Sequence, residues 1–299
     1  MSTSTSALAA LSNDIAGTIE RIAPSIVAVE ARHRVGSTGF YVRPNLILTA
    51  DHTLESDDIE IVPAGGATER ATIVGRDPST DLALLRTETA GVPVTFADDG
   101  TLRVGAITFA VARDDDGDVA ATMGVVSAVG AAWRSWNGGD IDSYIRPDLS
   151  LYPRFSGSPL VDGDGNVIGL NTPGLSRRQD ITVPAATIAR VVETLVSRGH
   201  VAQGYLGVAL QHVHLPERLG GGAAAVIVGI ESDSPAERSG LIVGDVLTGL
   251  DRARVDIDDL HAAIARSAAG ATLALDVLRG GTPQAIAVTI GERPARERG

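Results

Sequence analysis

Short apolar segments, each bounded by turn residues, fill most of the chain after residue 24. Examples are SIVAVEAR, GFYVRP, LILTA, IEIVP, ATIVG, LALLR, AITFAVA and GVVSAVG, with Gly, Pro and Asp between them. They are rich in Val, Ile and Thr, which favour strands because branched side chains fit a pleated surface. Strands this short and this often interrupted predict an antiparallel sandwich or barrel, so we expect a mainly β fold.

Two amphipathic helices stand outside this strand pattern. Apolar residues recur every three or four positions over residues 7–22, and the spacing predicts a helix that Pro24 ends. A second helix is predicted after Pro184, with Gly199 as its C-cap. The apolar residues that define them are Leu8, Leu11, Ile15, Ile19 and Ile22 in the first helix, and Ile188, Val191, Val192, Leu195 and Val196 in the second.

The second of these helices marks a domain boundary. At 299 residues and 44% apolar content, the chain suits two domains. We expect a first domain over residues 1–199, a second over 203–293, and a flexible polar tail over 294–299. In the second domain, Ser-Pro-Ala-Glu at 234–237 predicts the start of one helix, and another is predicted near 256–267.

A short acidic string in the first domain has two interpretations. Asp164-Gly165 lies between two apolar runs and predicts a tight hairpin. The surrounding Asp-x-Asp-x-Asn also resembles a calcium loop, but Pro173 occupies the position of the bidentate glutamate. We therefore interpret the string as a turn and predict no metal site.

Two absences from the composition restrict the chemistry. The chain has no cysteine, and all 25 of its basic residues are arginine. Without thiolates there is no cysteine nucleophile, zinc knuckle, iron–sulfur cluster or disulfide. Without lysine there is no Schiff base, no serine–lysine dyad and no phosphate-binding loop of the lysine type.

The charge and the amino terminus bear on partners and location. A formal charge of −12 repels nucleic acid and anionic lipid, so neither is an expected partner. No positive charge precedes Arg21, and polar residues interrupt the apolar ones, which is not the pattern of a secretory signal. No stretch has the apolar length of a membrane span. We expect a cytoplasmic location, or a periplasmic or other extracytoplasmic one if a leader was removed.

Three residues in separate segments are candidates for nucleophilic catalysis. Histidine is the strongest remaining base for activating a hydroxyl near neutral pH. His52 follows the strand LILTA, Asp81 precedes the strand LALLR, and Ser156 lies in a sharp turn in FSGSP. Taken singly, each also has a structural explanation: His52 as a hydrogen-bonded histidine at a barrel rim, Asp81 as a turn or cap residue, and Ser156 as a turn hydroxyl. The chain order His, Asp, Ser in a mainly β region, however, is that of chymotrypsin-type proteases rather than of subtilisins or α/β-hydrolases.

The segments around these residues resemble the HtrA/Deg family, trypsin-like serine proteases with a C-terminal PDZ domain. LTADHTL is similar to the family's Leu-Thr-x-x-His-Val, and VGRDPSTDLALLR to its Gly-x-Asp-x-x-x-Asp-Leu-Ala-Val. DLSLYPRFSGSPLVDGDGNVIGLNT resembles the nucleophile segment. The resemblance covers residues 15–290 and implies a chymotrypsin-like double β-barrel followed by a β-rich PDZ domain with two helices.

The resemblance implies a serine endopeptidase that hydrolyses unfolded or misfolded proteins in quality control. Ser156 would attack the peptide carbonyl, His52 would carry the proton, and Asp81 would orient the imidazole. The backbone N–H groups of Arg154 and Ser156 would form the oxyanion hole. No metal or organic cofactor is required. Family members commonly form trimers, so the resemblance also implies a homotrimer.

The segment around Ser156 departs from the family pattern at two positions. We call the part of it that leads to Ser156, residues 152–156, the oxyanion loop. Arg154 and Ser158 replace two glycines of Gly-Asn-Ser-Gly-Gly-Pro. If the active loop needs positive φ at residue 154, a side chain disfavours it by about 1 kcal/mol or somewhat more. Two functions stay open: an endopeptidase whose oxyanion loop is ordered by activation, and a weakly active or inactive relative that acts as a PDZ-bearing binding or chaperone module. The complete triad favours the first.

The primary specificity pocket is expected between two loops, at about 149–155 and 171–182. In the family these loops wall the pocket, and here their apolar residues predict cleavage after small or medium aliphatic side chains. The expected lining residues are Leu149, Leu151, Leu170 and Ile181.

A second site is predicted in the PDZ part. GYLGV at 204–208 looks like the carboxylate-binding loop, whose N–H groups hold a peptide's C-terminus while the peptide adds as a strand. A plain turn is the alternative, but SDSPAERSGLIVGDVL resembles a further family block. The expected partner is an exposed apolar C-terminal peptide. The residues assigned to this site are Tyr205, Leu206, Gly207 and Val208 in the loop, with Leu260 and Ile264 lining the pocket.

The segment from residue 130 to 144 holds both tryptophans, Trp133 and Trp136. Hairpin side chains that cover the barrel explain them at least as well as a functional role. By resemblance, the segment occupies the place of the loop that senses PDZ occupancy or substrate and helps to order the oxyanion loop. Both tryptophans are then expected to serve as fluorescence reporters.

Overall fold

The chain divides into two compact units, Met1–Val201 and Ala202–Gly299. Both are mainly β, as predicted. The predicted tail and most of the helix expected near 256–267 lie outside the described residues. The computed structural model describes residues 6–32, 35–98, 100, 102–135, 138–176, 179–201, 204–254, 260, 263–264, 267 and 269–292.

Six antiparallel strands form a closed barrel in the first half of the first unit, in the order β1-β2-β3-β6-β5-β4. The central strand LILTA is buried along its whole length, which explains its unbroken apolar sequence. The strands are β1 (Ile26–Glu30), β2 (Ser37–Arg43), β3 (Leu46–Ala50), β4 (Ile59–Val62), β5 (Glu69–Asp77) and β6 (Leu82–Arg86).

A second closed barrel follows in the same unit, in the order β11-β14-β13-β12-β7-β8. A two-stranded hairpin of β9 and β10 lies in the connection from β8 to β11. The tight turn predicted at Asp164-Gly165 is confirmed, because Gly165 has a φ of 90° between β12 and β13. The strands are β7 (Ile107–Arg113), β8 (Val119–Gly130), β9 (Trp133–Arg134), β10 (Asp140–Ile141), β11 (Tyr144–Asp148), β12 (Pro159–Val161), β13 (Val167–Thr172) and β14 (Ile181–Pro184).

The two predicted helices flank the barrels. Helix α1 spans Ala7–Ile22, and α2 spans Ala185–Arg198 and ends at Gly199, which adopts a φ of 77°. Both were predicted with these bounds, but their apolar faces are narrower than expected. The side chains of Leu8, Leu11 and Val196 are exposed.

One core joins the two barrels of the first unit and α2. Buried Leu48 from the first barrel, Phe109 and Val161 from the second, and Val192 from α2 belong to the same apolar cluster. Packing against a common core fixes the loops at the strand ends relative to one another. The residues predicted for catalysis come from these loops.

The second unit contains an antiparallel sheet in the order β16-β17-β18-β20-β21, with β19 paired to β18. The predicted helix start is confirmed: α3 spans Pro235–Arg238, and the Ser234 side chain accepts a hydrogen bond from the Glu237 N–H. The other strands β15 and β22 pair with each other. The strand bounds are β15 (Gly204–Tyr205), β16 (Val208–Leu215), β17 (Gly222–Ile230), β18 (Val246–Leu250), β19 (Ala253–Arg254), β20 (Thr272–Arg279), β21 (Thr282–Thr289) and β22 (Gly291–Glu292).

Candidate active site

The pairing of β3 with β6 brings His52 and Asp81 together. Ala50, the last residue of β3, pairs with Leu82, the first of β6. His52 lies in the 3-10 turn just beyond β3, and Asp81 lies just before β6. The His52 N–H donates to Asp81 Oδ1 at 2.8 Å, and His52 Nδ1 lies 2.7 Å from Asp81 Oδ2. A carboxylate on Nδ1 orients the imidazole and leaves Nε2 for a substrate or nucleophile.

The local sequence fixes the Asp81 carboxylate, which is only 5% exposed. Asp81 has a φ of 57°, uncommon for a residue with a side chain. The preceding turn supports it, because the buried Asp77 carboxylate accepts hydrogen bonds from the hydroxyls of Ser79 and Thr80. Burial raises the pKa of Asp77. On the other side, the Thr172 hydroxyl donates to Asp81 Oδ2.

Ser156 is held against the end of β3 by the glycine that follows it. Gly157 has a φ of 82°, and a Cβ on it would lie 2.2 Å from the Thr38 carbonyl oxygen and 2.9 Å from the Ala50 nitrogen. The Ser156 carbonyl also accepts the Thr38 N–H at 3.0 Å. The nucleophile loop therefore packs beside the strand that leads to His52. Among the described residues, the side chains of Ser156 and His52 form no hydrogen bond with each other, and such bonds often tighten only when substrate binds.

The expected oxyanion donors are not assembled in this conformation. Residues Pro153–Phe155 form a 3-10 turn, and the Ser156 N–H donates to the Pro153 carbonyl at 3.4 Å. Arg154 has a negative φ, and its carbonyl accepts the Thr38 hydroxyl at 2.8 Å. An oxyanion hole needs two N–H groups that converge on one point. Here the Ser156 N–H already donates to the Pro153 carbonyl oxygen. The predicted oxyanion hole of Arg154 and Ser156 therefore requires the loop to rearrange.

In the second unit, the predicted carboxylate-binding loop lies at the start of β16. Gly207 has a φ of 80°, and a Cβ on it would meet the Ser234 Cβ at 2.3 Å. The Leu206 carbonyl accepts the Ala236 N–H, and the Tyr205 hydroxyl donates to Glu231. Three apolar residues predicted for this site lie in one core cluster, namely Leu206, Leu260 and Ile264. Val208 packs against this cluster.

Two sequence-family profiles match the chain where the two units lie. The trypsin-like peptidase domain matches residues 37–170, which include His52, Asp81 and Ser156, and the PDZ domain matches residues 204–290. The structure of an HtrA-type protease, AlgW with a decapeptide, is 26% identical and superposes with a TM-score of 0.67 over 94% of this chain and 99% of its own. This chain belongs to the HtrA/Deg family.

Other members of the family show the same correspondence. A probable periplasmic serine endoprotease, DegP-like, from Chlamydia muridarum is 30% identical over 284 residues, covering 90% of this HtrA/Deg chain and 56% of that protein. Its namesake from Brucella suis is 33% identical, covering 86% and 52%. The chain thus spans about half the length of the curated relatives it matches. The structure of the serine endoprotease from Yersinia pestis is 25% identical, with a TM-score of 0.67 over 98% of this chain and all of its own.

The relatives bear on the expected location. Their names place those proteins in the periplasm. The expectation of a cytoplasmic location is therefore not supported, and the extracytoplasmic alternative is favoured. Within the described ranges, no helix has the length and apolar character needed to cross a membrane.

Two arginines that sequence reasoning did not single out hold the turn that carries His52 in this HtrA/Deg chain. Arg32 donates to the carbonyl oxygens of His52 and of the next residue, at 2.9 and 3.2 Å. Arg76 donates to those of Asp51 and Leu54, at 3.0 and 3.2 Å. Four consecutive carbonyl groups thus accept hydrogen bonds from two guanidinium groups. Arg76 lies in the same family-like block as Asp81, which was the available sequence signal.

Asp51, the residue before His52, completes this arrangement. Its carboxylate is 8% exposed and pairs with Arg76 Nε at 2.5 Å. Burial raises the pKa of Asp51, and the hydrogen bond and charge of Arg76 oppose that rise. The ion pair between Asp51 and Arg76 thus holds the backbone next to His52 in place.

The four residues predicted for the specificity pocket differ in how exposed they are. Leu149 and Leu151 are partly buried and pack with Phe155 beside the nucleophile. Leu170 and Ile181 are 0% and 1% exposed. Leu170 belongs to the core that joins the barrels, because every residue of β13 is buried. Leu149 and Leu151 thus lie beside the nucleophile loop, whereas Leu170 and Ile181 expose almost no surface to a pocket in this conformation.

The segment from 130 to 144 contacts the turn before Asp81. The Ser135 hydroxyl donates to the Ser79 carbonyl at 2.5 Å. Trp133 is partly buried and packs edge-to-face on Tyr144, with ring centroids 5.8 Å apart. Trp136 lies outside the described residues. The sensing role of this segment stays a prediction.

Proposed function

We propose that this chain is a serine endopeptidase that cleaves unfolded or misfolded proteins with Ser156, His52 and Asp81. The observation that supports it most is the buried Asp81 carboxylate on His52 Nδ1 at 2.7 Å, placed at the end of the strand against which the Ser156 loop packs. The alternative, a PDZ-bearing binding or chaperone module without activity, leaves this paired arrangement without a role.

The chemistry follows from the roles of the three side chains. Ser156 Oγ forms a bond to the scissile carbonyl carbon while its proton moves to His52 Nε2. Collapse of the tetrahedral intermediate breaks the C–N bond, and the imidazolium returns the proton to the leaving amine. Water then repeats the sequence on the acyl-enzyme and releases a carboxylic acid. Asp81 stabilises the imidazolium throughout and stays ionised.

The test compares wild type with Ser156→Ala on casein and on a chemically unfolded protein, with His52→Ala as a second variant. We expect turnover in the wild type and none above background in either variant. Ser156→Ala changes one atom in a loop held by backbone hydrogen bonds, so its fold is expected to persist, which circular dichroism checks. Equal turnover in wild type and Ser156→Ala would refute the protease assignment.

The second unit is proposed to bind C-terminal peptides with an apolar last residue. Support comes from the PDZ match and from the cluster of Leu206, Leu260 and Ile264 behind the Gly207 turn. A peptide ending in valine and its C-terminal amide form a matched pair of probes. Equal affinity for the two would contradict recognition of the carboxylate.

Cleavage is proposed after small or medium aliphatic residues, because Leu149 and Leu151 are the apolar side chains beside the nucleophile loop. Mapping of cleavage sites on a denatured protein tests this, and a dominant preference after Lys or Arg would refute it. We also propose an extracytoplasmic location, supported by the relatives' names, and a homotrimer, which light scattering measures directly.

A further inference from the structure

The side chain of Arg154 joins the oxyanion loop to both barrels. Its Nη1 donates to Glu30 Oε1 at 3.0 Å, and its Nη2 lies 3.3 Å from Asp115 Oδ1. Glu30 is the last residue of β1 in the first barrel, and Asp115 lies in the turn between β7 and β8 of the second. The side chain of Arg154 is 22% exposed and that of Glu30 27%, whereas that of Asp115 is 65% exposed. Solvent therefore screens the Glu30 pair less than the Asp115 pair.

The Glu30 carboxylate is held in place by its surroundings. A Cβ on Gly36 would lie only 2.2 Å from Glu30 Oε1 and 2.5 Å from Oε2. The backbone at Gly36 therefore lies directly on the carboxylate, which restricts the rotamers that Glu30 can adopt. An ion pair with one side chain already restricted costs less conformational entropy when it forms.

Residue 154 is thus fixed at its side chain and at its carbonyl, which accepts the Thr38 hydroxyl. We propose that Glu30 and Asp115 are positioning residues that act through Arg154. They keep the oxyanion loop in the 3-10 turn that commits the Ser156 N–H to the Pro153 carbonyl. This inference rests on the proposed protease function. It identifies what sets the fraction of molecules in which the oxyanion hole is formed.

Two separate effects resist formation of the oxyanion hole. Freeing the Ser156 N–H requires the peptide between Pro153 and Arg154 to rotate, and rotation by about half a turn takes φ of residue 154 from negative to positive values. The Cβ of an L-residue disfavours that region. Relaxing the contact between this Cβ and the backbone shifts the Cα–Cβ bond, and the two ion pairs at the end of the side chain oppose that shift. Glycine at this position would remove both effects, and alanine only the second.

The test measures hydrolysis of a short chromogenic peptide and the rate of Ser156 labelling by a fluorophosphonate. The variants are Glu30→Gln, Asp115→Asn, Arg154→Ala and Arg154→Gly. We expect both rates to rise about two- to fivefold for Glu30→Gln, less for Asp115→Asn, and about tenfold or more for Arg154→Gly, with Arg154→Ala between. KM is expected to stay unchanged, because only the competent fraction changes.

A double-mutant cycle separates positioning from a general effect on the fold. If Glu30 acts through Arg154, Glu30→Gln changes nothing once Arg154→Gly is present. Asp58→Asn is the matched control, because it removes the same charge from an exposed pair with Arg70 elsewhere in the first barrel. Unfolding midpoints are measured for every variant, so that lower folded content is not taken for lower activity.

Each outcome is decisive. Faster labelling in Glu30→Gln that disappears in the Arg154→Gly background supports the proposal. Glu30→Gln rates equal to or below wild type, with wild-type activity still abolished by Ser156→Ala, overturn the proposal and leave the protease assignment intact. No labelling of Ser156 in any variant, Arg154→Gly included, overturns both.

Discussion

Gly174→Ala would place a methyl group inside the His52–Asp81 pair. A Cβ at this position would lie 2.3 Å from Asp81 Oδ2 and 3.0 Å from His52 Nδ1. Gly174 is not in the left-handed region, so alanine adds no backbone strain. Its N–H also donates to Thr172 Oγ1 at 2.8 Å, which ties the loop to the hydroxyl that donates to the same carboxylate. Ordinary contact begins near 3.4 Å, so the oxygen or the loop must retreat by about 1 Å.

A retreat of that size breaks the 2.7 Å bond between Asp81 and the imidazole. A hydrogen bond to a charged group contributes about 1.5–3 kcal/mol, which corresponds to roughly 10- to 150-fold in rate. Complete loss of the orienting carboxylate would cost about 10⁴-fold. We therefore expect kcat on a chromogenic peptide to fall about 10²-fold, with KM little changed.

The control for this substitution is Gly163→Ala, whose Cβ would meet no atom within 4 Å. Its kcat is expected to match wild type. The diagnostic proton of His52 Nδ1, which resonates far downfield when bound to a carboxylate, is expected to disappear in Gly174→Ala and persist in the control. A Gly174→Ala protein that is folded and retains kcat within twofold of wild type would refute this account of the pair.

Three further predictions concern other parts of the chain. Arg32→Met or Arg76→Met removes two hydrogen bonds to carbonyl groups of the turn that carries His52, so steady-state kinetics is expected to show kcat reduced about tenfold at constant KM. Lysine at either position is expected to restore kcat in part, and a change in KM alone would contradict this. Gly207→Ala puts a methyl 2.3 Å from a neighbouring side-chain carbon at a φ of 80°, and is expected to abolish anisotropy-detected binding of a C-terminal peptide while peptide hydrolysis continues; unchanged affinity would refute the loop assignment. Hydrogen bonds from Arg279 hold the pKa of the buried Asp245 below its usual range. The ionised carboxylate therefore stabilises the fold at pH values above its unfolded-state pKa of about 3.9, and this stabilisation is lost as the pH falls through the lower folded-state pKa. Urea unfolding is expected to show Asp245→Asn less stable than wild type at pH 7 and the difference shrinking below about pH 4; a difference independent of pH would contradict it.

Local sequence rules were sufficient for much of the fold. Pro24 lies just past the end of α1, and Gly199 ends α2, because helix breakers and caps act within a few residues. The exposed side chains of Leu8 and Val196 were not predictable, because helical spacing gives a direction on the helix and not the width of the surface it meets.

The residues proposed for catalysis could be picked out from the sequence because each follows or precedes a strand of recognisable pattern. The supports of the site were not, since they join residues that only strand pairing brings together. Arg32 contacts His52 from 20 residues away, and Thr172 reaches Asp81 from 91 residues away. Leu170 was misplaced for a related reason, because burial on both faces of β13 depends on the closure of the whole barrel.

The departure at Arg154 was visible in the sequence, and the penalty for positive φ predicted a disfavoured active loop. The ion pairs with Glu30 and Asp115 were not visible, because no local pattern relates residues 30, 115 and 154. The structure thus adds a contact that stabilises the same turn that the backbone already favours.

The central claim is that Ser156 is a nucleophile activated by His52. Mass spectrometry after incubation with a fluorophosphonate tests it directly, because the reagent forms a bond from serine Oγ to phosphorus and releases fluoride only where the hydroxyl is activated. We expect one adduct per chain, mapped to Ser156, in wild type and faster in Arg154→Gly, and none in His52→Ala or in the unfolded protein. An adduct on another residue, or none in either the wild type or Arg154→Gly, would contradict the account.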